Sequence, residues 1–175
     1  MADRSLTWIH EIRRRLESPP PRRLPADDAR RAAVLVPLFV QEGGLHLLLT
    51  KRSEALPSHK GQIAFPGGAL EPGEGPWEGA LRETNEEVGL EPGTILRLGE
   101  LDEVTSPVGF RVVPRVGAVP VPLEPVPNED EIERVFGVPL VAFSEPGVVE
   151  DREVDFDGRR RSIRAYHVLE PPVWA

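Results

Sequence analysis

Three glutamates lie close together near the middle of the chain: Glu83, Glu86 and Glu87. Residues three and four apart are neighbours on an α-helix, with about 5–6 Å between their β-carbons. In a helix these carboxylates would therefore form one acidic patch, which repels itself unless a cation is shared. Hard oxygen ligands of this kind suit Mg²⁺ or Mn²⁺. The alternative is a solvated acidic helix face, which by itself is the more common explanation of such a cluster.

The sequence around the glutamates predicts a loop followed by a helix. Residues 66–75 include four glycines and two prolines, which is typical of a loop. Pro76 favours a first helical turn and Gly89 favours an end, so we predict a helix over residues 76–88. Five residues recur at steps of three and four and should face the sheet: Trp77, Ala80, Leu81, Thr84 and Val88. The glutamates are expected on the other side.

The spacing of the charged and glycine residues in this segment resembles the Nudix box. After Gly68 come five residues and Glu74, then seven residues and the pair Arg82–Glu83, followed by the other two glutamates and a glycine. With seven fixed positions at roughly one in fifteen each, an accidental match somewhere in a chain of this length is on the order of one in a million. The pattern departs from the family only at Thr84, where an aliphatic residue is common. This departure concerns packing, because the position lies on the predicted buried face.

The resemblance implies a fold and a set of roles. The fold would be α/β (α+β), a mixed β-sheet sandwiched between helices. Metal binding would fall to Glu83, Glu86 and Glu87, with a backbone carbonyl of Gly67 or Gly68. Arg82 and Glu74 would orient these carboxylates. The metals would activate a water for attack on a diphosphate, with Glu83 or Glu86, or a carboxylate outside the box, taking the proton.

The segment before the box is similar to the coenzyme A pyrophosphatase branch of the family. The residues that carry this similarity are Leu48, Leu49, Thr50, Arg52, Ser53, Gly61, Phe65, Pro66, Gly67 and Gly68. Residues 106–117 and 128–140 are also similar, so the resemblance covers most of residues 32–142. Pro57 stands where many members have an arginine, and Lys51, His59 or Lys60 could replace that contact. The implied reaction is Mg²⁺- or Mn²⁺-dependent cleavage of coenzyme A to 4′-phosphopantetheine and 3′,5′-ADP.

The expected substrate-binding residues are Arg52, Ser53, His59, Lys60, Gly61, Phe65, Gly67 and Phe110. Each has a structural alternative. The first two could simply end a strand, His59 could be a solvated loop residue, and Phe65 could belong to the core. Phe110 is a candidate platform for stacking adenine, or it packs inside. The spacing of Asn128 and Glu131 predicts a helix amino-terminal cap with its reciprocal glutamate rather than a metal site.

The remaining elements must position this site. A helix is predicted over residues 5–17, and a hairpin over 32–40 and 45–50 with a Gly-Gly turn. Residues 111–123 contain prolines and should form an edge or irregular strand. Three more short strands are predicted at 135–143, 153–156 and 162–169. We divide the chain into an amino-terminal helix with a proline-rich link, residues 1–24, and a hydrolase domain, residues 25–175.

Composition excludes several other kinds of function. The 175 residues include no cysteine, so disulfides and thiolate metal sites are excluded. A formal charge of −8 argues against nucleic acid as a partner. The chain has no apolar run long enough for a membrane span and no signal peptide, so we expect a cytoplasmic protein with no membrane partner. Family members often continue past a tryptophan such as Trp174 into a final helix, which is either absent here or lies beyond this sequence.

Two alternatives to the coenzyme A reaction remain. The same metal chemistry could act on another nucleoside diphosphate derivative, such as ADP-ribose or a dinucleoside polyphosphate. A noncatalytic Nudix-fold module that senses nucleotides would be expected to have lost glutamates of the box, and all are present. The partner is in either case a small molecule, and the sequence leaves a homodimer open.

Overall fold

The computed structural model describes residues 2–25, 28–56, 59–106, 109–156 and 158–174. The helices are α1 (Ala2–Glu17) and α2 (Pro76–Val88), with short 3₁₀ turns at Pro92–Thr94 and Leu140–Ser144. The strands are β1 (Arg31–Gln41), β2 (Gly44–Arg52), β3 (Ile63–Ala64), β4 (Gly67–Ala69), β5 (Leu96–Glu100), β6 (Val104–Thr105), β7 (Arg111–Ala118), β8 (Ile132–Pro139), β9 (Val149–Phe156), β10 (Arg159–Tyr166) and β11 (Val173–Trp174). Pro57 lies outside the described residues.

Apolar side chains on both faces of the main sheet explain where the helices pack. Leu35, Phe39 and Leu48 form a cluster with Ala80 and Val88 of α2. Side chains from the other face of the sheet form a second cluster with α1; its members are Val36, Leu38, Leu47, Leu98, Val116, Ile9, Ile12 and Leu16. A smaller sheet of β9, β10 and β11 packs at one side through Tyr166 and Val173. The expected mixed sheet between helices is therefore confirmed.

The hairpin of β1 and β2 opens along its length and admits a third segment. The two strands pair directly only near the turn, from Leu38–Leu47 to Gln41–Gly44. Farther from the turn, β3 pairs with β2 and β4 pairs with β1, so the chain between them fills the gap. The turn itself is Glu42–Gly43, both with positive φ, and Gly44 already belongs to β2. The predicted Gly-Gly turn is thus shifted by one residue.

The prediction of an edge or irregular strand at residues 111–123 is wrong. β7 is central, parallel to β1 on one side and antiparallel to β5 and β6 on the other. Pro114 lies opposite the break between β5 and β6, where its carbonyl accepts a hydrogen bond from the nitrogen of Leu101 (3.2 Å). The carbonyl and nitrogen of one strand residue point to the same side. The missing N–H of Pro114 therefore faces a break in the ladder, and no strand pairing is lost.

Other predicted elements differ mainly in their ends. Helix α2 has the predicted bounds, whereas α1 begins three residues earlier than predicted. The strand predicted at 135–143 is β8 followed by a 3₁₀ turn, because Pro139 ends the ladder. The last two predicted strands correspond to the hairpin of β9 and β10. In the described part of the chain, no helix is both long and apolar enough to cross a membrane.

Gly67 is where β4 meets β1 most closely. Its φ is 153°, and a β-carbon there would lie 2.4 Å from the carbonyl oxygen of Ala33 and 2.6 Å from the Cα of Val34. We expect Gly67→Ala to lower the free energy of unfolding by about 2 kcal/mol, because the backbone of β1 cannot yield cheaply. Urea denaturation followed by circular dichroism measures this. Gly93→Ala is the control, since nothing lies within 4 Å of its β-carbon position. Equal stability of the two variants would contradict the expectation.

Candidate functional site

The carboxyl end of α2 holds a loop from a distant part of the chain. Gly89 ends the helix in the left-handed conformation, with φ 70°, and its nitrogen bonds to the carbonyl of Asn85. Two more carbonyls at this end accept hydrogen bonds from the loop: Val126 donates to Val88 (2.8 Å) and Asn128 donates to Glu87 (2.9 Å). The last carbonyls of a helix need such partners. Satisfying them places residues 126–131 beside the glutamates.

Glu87 is buried between α2 and the sheet. It is 3% exposed, and its carboxylate accepts hydrogen bonds from the nitrogen of Gly67 (3.1 Å) and from Nη1 of Arg52 (3.3 Å). The prediction that all three glutamates lie on the outer side of the helix is wrong for this residue. At about 100° per residue, Glu87 falls beside Ala80 at the edge of the buried face. Glu83 lies farther round, and Glu86 is on the outer side with 54% of its side chain exposed.

Burial changes the acidity of two of these carboxyls. Desolvation raises the pKa of Glu87 to about 7, although the hydrogen bond from Gly67 and the charge of Arg52 act in the opposite direction. Burial also raises the pKa of Glu83, against the effect of Arg82. The negative charge of Glu131 contributes to both increases. Burial is the main cause of both increases, and in the described residues the four carboxylates Glu83, Glu86, Glu87 and Glu131 lie near two arginines, Arg52 and Arg82.

Glu131 is a fourth carboxylate of this region, and the sequence analysis assigned it to a helix cap rather than to the site. Its carbonyl accepts a hydrogen bond from the nitrogen of Ser53 (2.8 Å), and its carboxylate accepts one from Nδ2 of Asn128 (3.3 Å). The predicted helix cap is wrong, because a turn over 128–131 leads directly into β8 at Ile132. The run of acidic residues around Asn128 was the available signal. This run indicates a site only in combination with the hydrogen bonds between the loop and the end of α2.

Arg82 ties the helix to the loop that precedes it. Its Nε and Nη2 donate to the carboxylate of Glu74 at 2.9 and 3.1 Å, and Nη2 also donates to the carbonyl of Ala69. Nη1 donates to Glu83 (3.0 Å) and Glu86 (3.2 Å). The guanidinium beside it lowers the pKa of Glu74. Every guanidinium nitrogen of Arg82 thus donates hydrogen bonds, which hold α2 against the loop that precedes it.

Gly68 lets Glu83 approach the backbone of β4. A β-carbon on Gly68 would lie 2.5 Å from the carboxyl carbon of Glu83, so the close approach requires a glycine. Gly67 and Gly68 consequently form a floor without side chains between Glu83 on one side and Glu87 on the other. Their backbone oxygens are the only further ligands that the predicted metal set includes.

The residues fit a hard divalent cation by their chemistry. Among the described residues, no three carboxylate or imidazole groups converge as a preformed metal site. Arg82 holds Glu83 and Glu86, while Arg52 holds Glu87. Oxygen donors with incompletely compensated charge are nevertheless what Mg²⁺ and Mn²⁺ prefer. The raised pKa of Glu87 agrees with this, since a cation would stabilise its ionised form.

The structure brings part of the predicted substrate set to this site. Arg52 contacts Glu87, and the backbone nitrogen of Ser53 contacts Glu131. The nitrogen of Gly61 donates to the carbonyl of Arg52 (3.1 Å), and a β-carbon on Gly61 would lie 2.2 Å from Oε1 of Glu54. These residues support the end of β2, where Arg52 leaves the sheet.

The other members of the predicted set lie elsewhere. His59 is exposed and its Nδ1 contacts Oε1 of Gln62 at 2.9 Å, while Lys60 is exposed on the same loop. Phe65 packs between two apolar clusters, so it has the core position given above as its alternative. Phe110 is half-buried, with the guanidinium of Arg30 4.9 Å from the centre of its ring. The roles of these four residues towards a substrate stay predictions.

The buried carboxyl of Glu87 should make the stability of the metal-free protein depend on pH. Its folded-state pKa of about 7 is raised from 4.5, so the folded state binds more protons than the unfolded state between these values. Stability should therefore fall as pH rises through that window. We expect the free energy of unfolding of wild type, relative to Glu87→Gln, to decrease by up to about 3 kcal/mol between pH 5 and pH 8.

Denaturation in the presence of chelator at several pH values measures this difference. Glu86→Gln is the matched control, because the side chain is mostly exposed on the same helix. A pH-independent difference between wild type and Glu87→Gln would contradict the burial of an ionisable group at this position.

Comparison with known proteins agrees with this geometry. The family model described as NUDIX domain matches residues 29–158. The chain is 43% identical over 142 residues to the Nudix hydrolase NudL of Klebsiella pneumoniae, covering 80% of this chain and 73% of the relative. It is 36% identical over 157 residues to NudL of Photorhabdus laumondii, covering 89% and 83% respectively.

A solved structure, the Nudix hydrolase RenU from M. smegmatis, has the same fold. Its TM-score is 0.55 at 24% identity, covering 63% of this chain and 71% of that chain. This likeness concerns the fold alone, whereas the family match and the two relatives rest on the sequence. Together with the glutamates around Gly67 and Gly68, they establish that the chain belongs to the NUDIX domain family of hydrolases.

Proposed function

We propose that this chain is a Mg²⁺- or Mn²⁺-dependent pyrophosphohydrolase that cleaves the diphosphate of coenzyme A, or of a derivative, to 4′-phosphopantetheine and 3′,5′-ADP. The observation that carries the proposal is the placement of Glu83 and Glu87 on the two sides of Gly67 and Gly68, with Arg52 in contact with Glu87 and the charge of Glu131 acting on both glutamates. Such a group combines excess negative charge for a cation with an arginine for a phosphate.

Glu83, Glu86 and Glu87 would hold the divalent cation, together with a backbone carbonyl of Gly67 or Gly68. When bound, the cation neutralises charge on the diphosphate and lowers the pKa of water. The protein must then supply rigidity, which Arg82 and Glu74 provide by fixing the helix against its loop. Gly67 supports Glu87 from the other side through its backbone nitrogen.

Proton removal from the attacking water requires a carboxylate that is not already paired with an arginine. Arg82 bonds to both Glu83 and Glu86, whereas the side chain of Glu131 accepts only the neutral amide of Asn128 among the described residues. We therefore favour Glu131, the carboxylate outside the box, as the base over Glu83 or Glu86. Its carbonyl bond to Ser53 keeps it beside the end of β2.

Arg52 is the residue proposed to receive the diphosphate. One of its guanidinium nitrogens contacts Glu87, and its Nε is buried without a hydrogen-bond partner among the described residues. Leaving such a donor unpaired costs free energy, so a ligand oxygen that binds there gains more than it would at the surface. The choice of coenzyme A among nucleoside diphosphate derivatives rests on the resemblance of residues 48–68 to the coenzyme A pyrophosphatase branch.

We expect Glu83→Gln and Glu87→Gln each to lower turnover at least about a hundredfold, because an amide keeps the size of the side chain but loses the charge that holds a cation. The rate with coenzyme A measures activity, and titration with Mn²⁺ followed by electron paramagnetic resonance measures metal affinity. Excess chelator should abolish the reaction, and Mg²⁺ or Mn²⁺ should restore it.

Glu129→Gln provides the control, since Glu129 is exposed on the loop that carries Glu131. Glu131→Gln should reduce kcat while leaving Mn²⁺ affinity within about twofold, as expected for a base that does not bind metal. Activity that persists in chelator, or near-wild-type turnover of Glu83→Gln and Glu87→Gln, would refute the metal mechanism.

Substrate choice is tested with a panel of diphosphates and mass analysis of products. We expect kcat/KM to be higher for coenzyme A than for dephospho-coenzyme A and ADP-ribose. Arg52→Ala should lower kcat/KM for coenzyme A by roughly ten- to a hundredfold, the scale of a charge-assisted hydrogen bond worth about 1.5–3 kcal/mol. Arg52→Lys should recover part of the loss, since it keeps the charge beside Glu87 but not the paired donors.

Arg134→Ala is the control for removing an arginine, because Arg134 is exposed on β8 and contacts the ring of Phe136. Faster hydrolysis of ADP-ribose than of coenzyme A at equal subsaturating concentrations would overturn the substrate assignment and leave the reaction class standing. Binding of nucleotides without hydrolysis of any diphosphate in the panel would instead support a nucleotide-sensing module.

A further inference from the structure

Asn128 begins the turn that leads into β8 beside the end of α2. Its nitrogen donates to the carbonyl of Glu87 (2.9 Å), and its carbonyl accepts hydrogen bonds from the nitrogens of Glu131 (2.9 Å) and Ile132 (2.7 Å). Its side-chain oxygen accepts a hydrogen bond from the nitrogen of Asp130 (3.3 Å), and its Nδ2 donates to Oε1 of Glu131 (3.3 Å). The main chain of Asn128 therefore fixes the turn, while its side-chain amide contacts the carboxylate of Glu131 directly.

The main chain of Glu131 is held on both sides, whereas its side chain is held at one point. Its nitrogen donates to the carbonyl of Asn128, and its carbonyl accepts a hydrogen bond from the nitrogen of Ser53 (2.8 Å). Among the described residues, the amide of Asn128 is the one hydrogen-bond partner of the carboxylate, and it occupies Oε1. Oε2 is thus left to accept a proton. The position of that oxygen depends on the side-chain torsions of Glu131, which the amide of Asn128 restricts.

Repulsion from two other carboxylates acts on the side chain of Glu131. Its negative charge contributes to the raised pKa of both Glu83 and Glu87, so the three carboxylates repel one another. A glutamate side chain that is free to rotate would turn away from such charges into solvent. A hydrogen bond from a neutral amide opposes this movement. It also perturbs the carboxylate less than an ion pair does, such as those of Arg82 with Glu83 and Glu86.

We propose that Asn128 is a positioning residue, whose side-chain amide holds the carboxylate of Glu131 at the reaction site and leaves Oε2 to take the proton of the attacking water. The proton passes from water to Oε2, while the water oxygen forms the new bond to phosphorus and the bridging oxygen of the diphosphate leaves. Asn128 makes and breaks no covalent bond, so its contribution is the orientation of Glu131. This inference rests on the proposed function and deepens it, since it names the residue that keeps the proposed base in place.

The kinetic test is a double-mutant cycle between Asn128 and Glu131, with the best substrate of the diphosphate panel. Asn128→Ala should lower kcat about tenfold with KM and Mn²⁺ affinity within about twofold, because the base loses its orientation while the main-chain bond to Glu87 is kept. In the Glu131→Gln background the same substitution should change kcat less than about twofold, since the base is already absent. Asn128→Asp keeps the acceptor for the nitrogen of Asp130, and so the turn, but places a like charge beside Glu131. It should lower kcat at least as much as Asn128→Ala.

Asn85→Ala is the matched control, because the amide of Asn85 donates to the carbonyl of Leu90 (3.0 Å) rather than to a carboxylate. It should leave kcat within about twofold of wild type. An equal loss of kcat from Asn128→Ala in the wild-type and Glu131→Gln backgrounds would show a structural role and overturn the proposal.

Nuclear magnetic resonance tests the contact without turnover. The chain contains two asparagines, Asn85 and Asn128, so ¹⁵N-asparagine labelling gives two side-chain amide signals, which Asn85→Ala assigns. In chelator, Glu131→Gln should shift the signal of Asn128 and leave that of Asn85 in place. Failure of wild type to hydrolyse any diphosphate of the panel would refute the proposed function, and the role of Asn128 with it. In an active enzyme, an unchanged Asn128 signal would overturn the role of Asn128 and leave the proposed function standing.

Discussion

The buried carboxylate of Glu87 is the constraint on which the rest of the site depends. A carboxylate that is 3% exposed needs hydrogen bonds or opposite charge to remain ionised, and the protein supplies one backbone N–H and one arginine. These partners come from β4 and from the end of β2, while the helix carbonyl of the same residue binds the loop at Asn128. One residue therefore joins α2 to three other segments. The compensation is incomplete, as the raised pKa shows, and this leaves the site receptive to a cation.

Two adjacent glycines make that arrangement sterically possible. Gly67 allows β4 to lie against β1, and Gly68 allows the carboxylate of Glu83 to lie against the backbone. A side chain at Gly67 would separate β4 from β1, and one at Gly68 would displace the carboxylate of Glu83. The opening of the β1–β2 hairpin matters for the same reason, because β3 and β4 occupy the gap and carry these glycines to the helix. The sheet thus contributes backbone rather than side chains to the floor of the site.

Local features were predictable from the sequence, whereas features set by distant partners were not. The bounds of α2 follow from Pro76 and Gly89, and the departure at Thr84 is accommodated because its hydroxyl donates to the carbonyl of Ala80 (2.6 Å). The helical angle also implies the order of burial among the three glutamates, with Glu87 nearest the buried face and Glu86 farthest from it. By contrast, the central place of β7 depends on a break opposite Pro114. The place of Glu131 depends on hydrogen bonds between distant residues, from Asn128 to Glu87 and from Ser53 to Glu131 itself.

Arg82 and Arg52 differ in their surroundings. The contacts of Arg82 suit a structural role, whereas those of Arg52 suit the binding of a ligand. Arg82 donates to three carboxylates and a carbonyl, so any ligand would have to displace bonds that hold the helix to its loop. Arg52 has a single contact with Glu87, at 3.3 Å, and a buried Nε with no partner in the described part of the chain. Binding of a cation by Glu87 would weaken that one contact, because the carboxylate would share its charge. The guanidinium of Arg52 would then be available to bind another anion. In a site of this shape, that anion is the diphosphate, so cation and substrate binding would favour each other through Arg52.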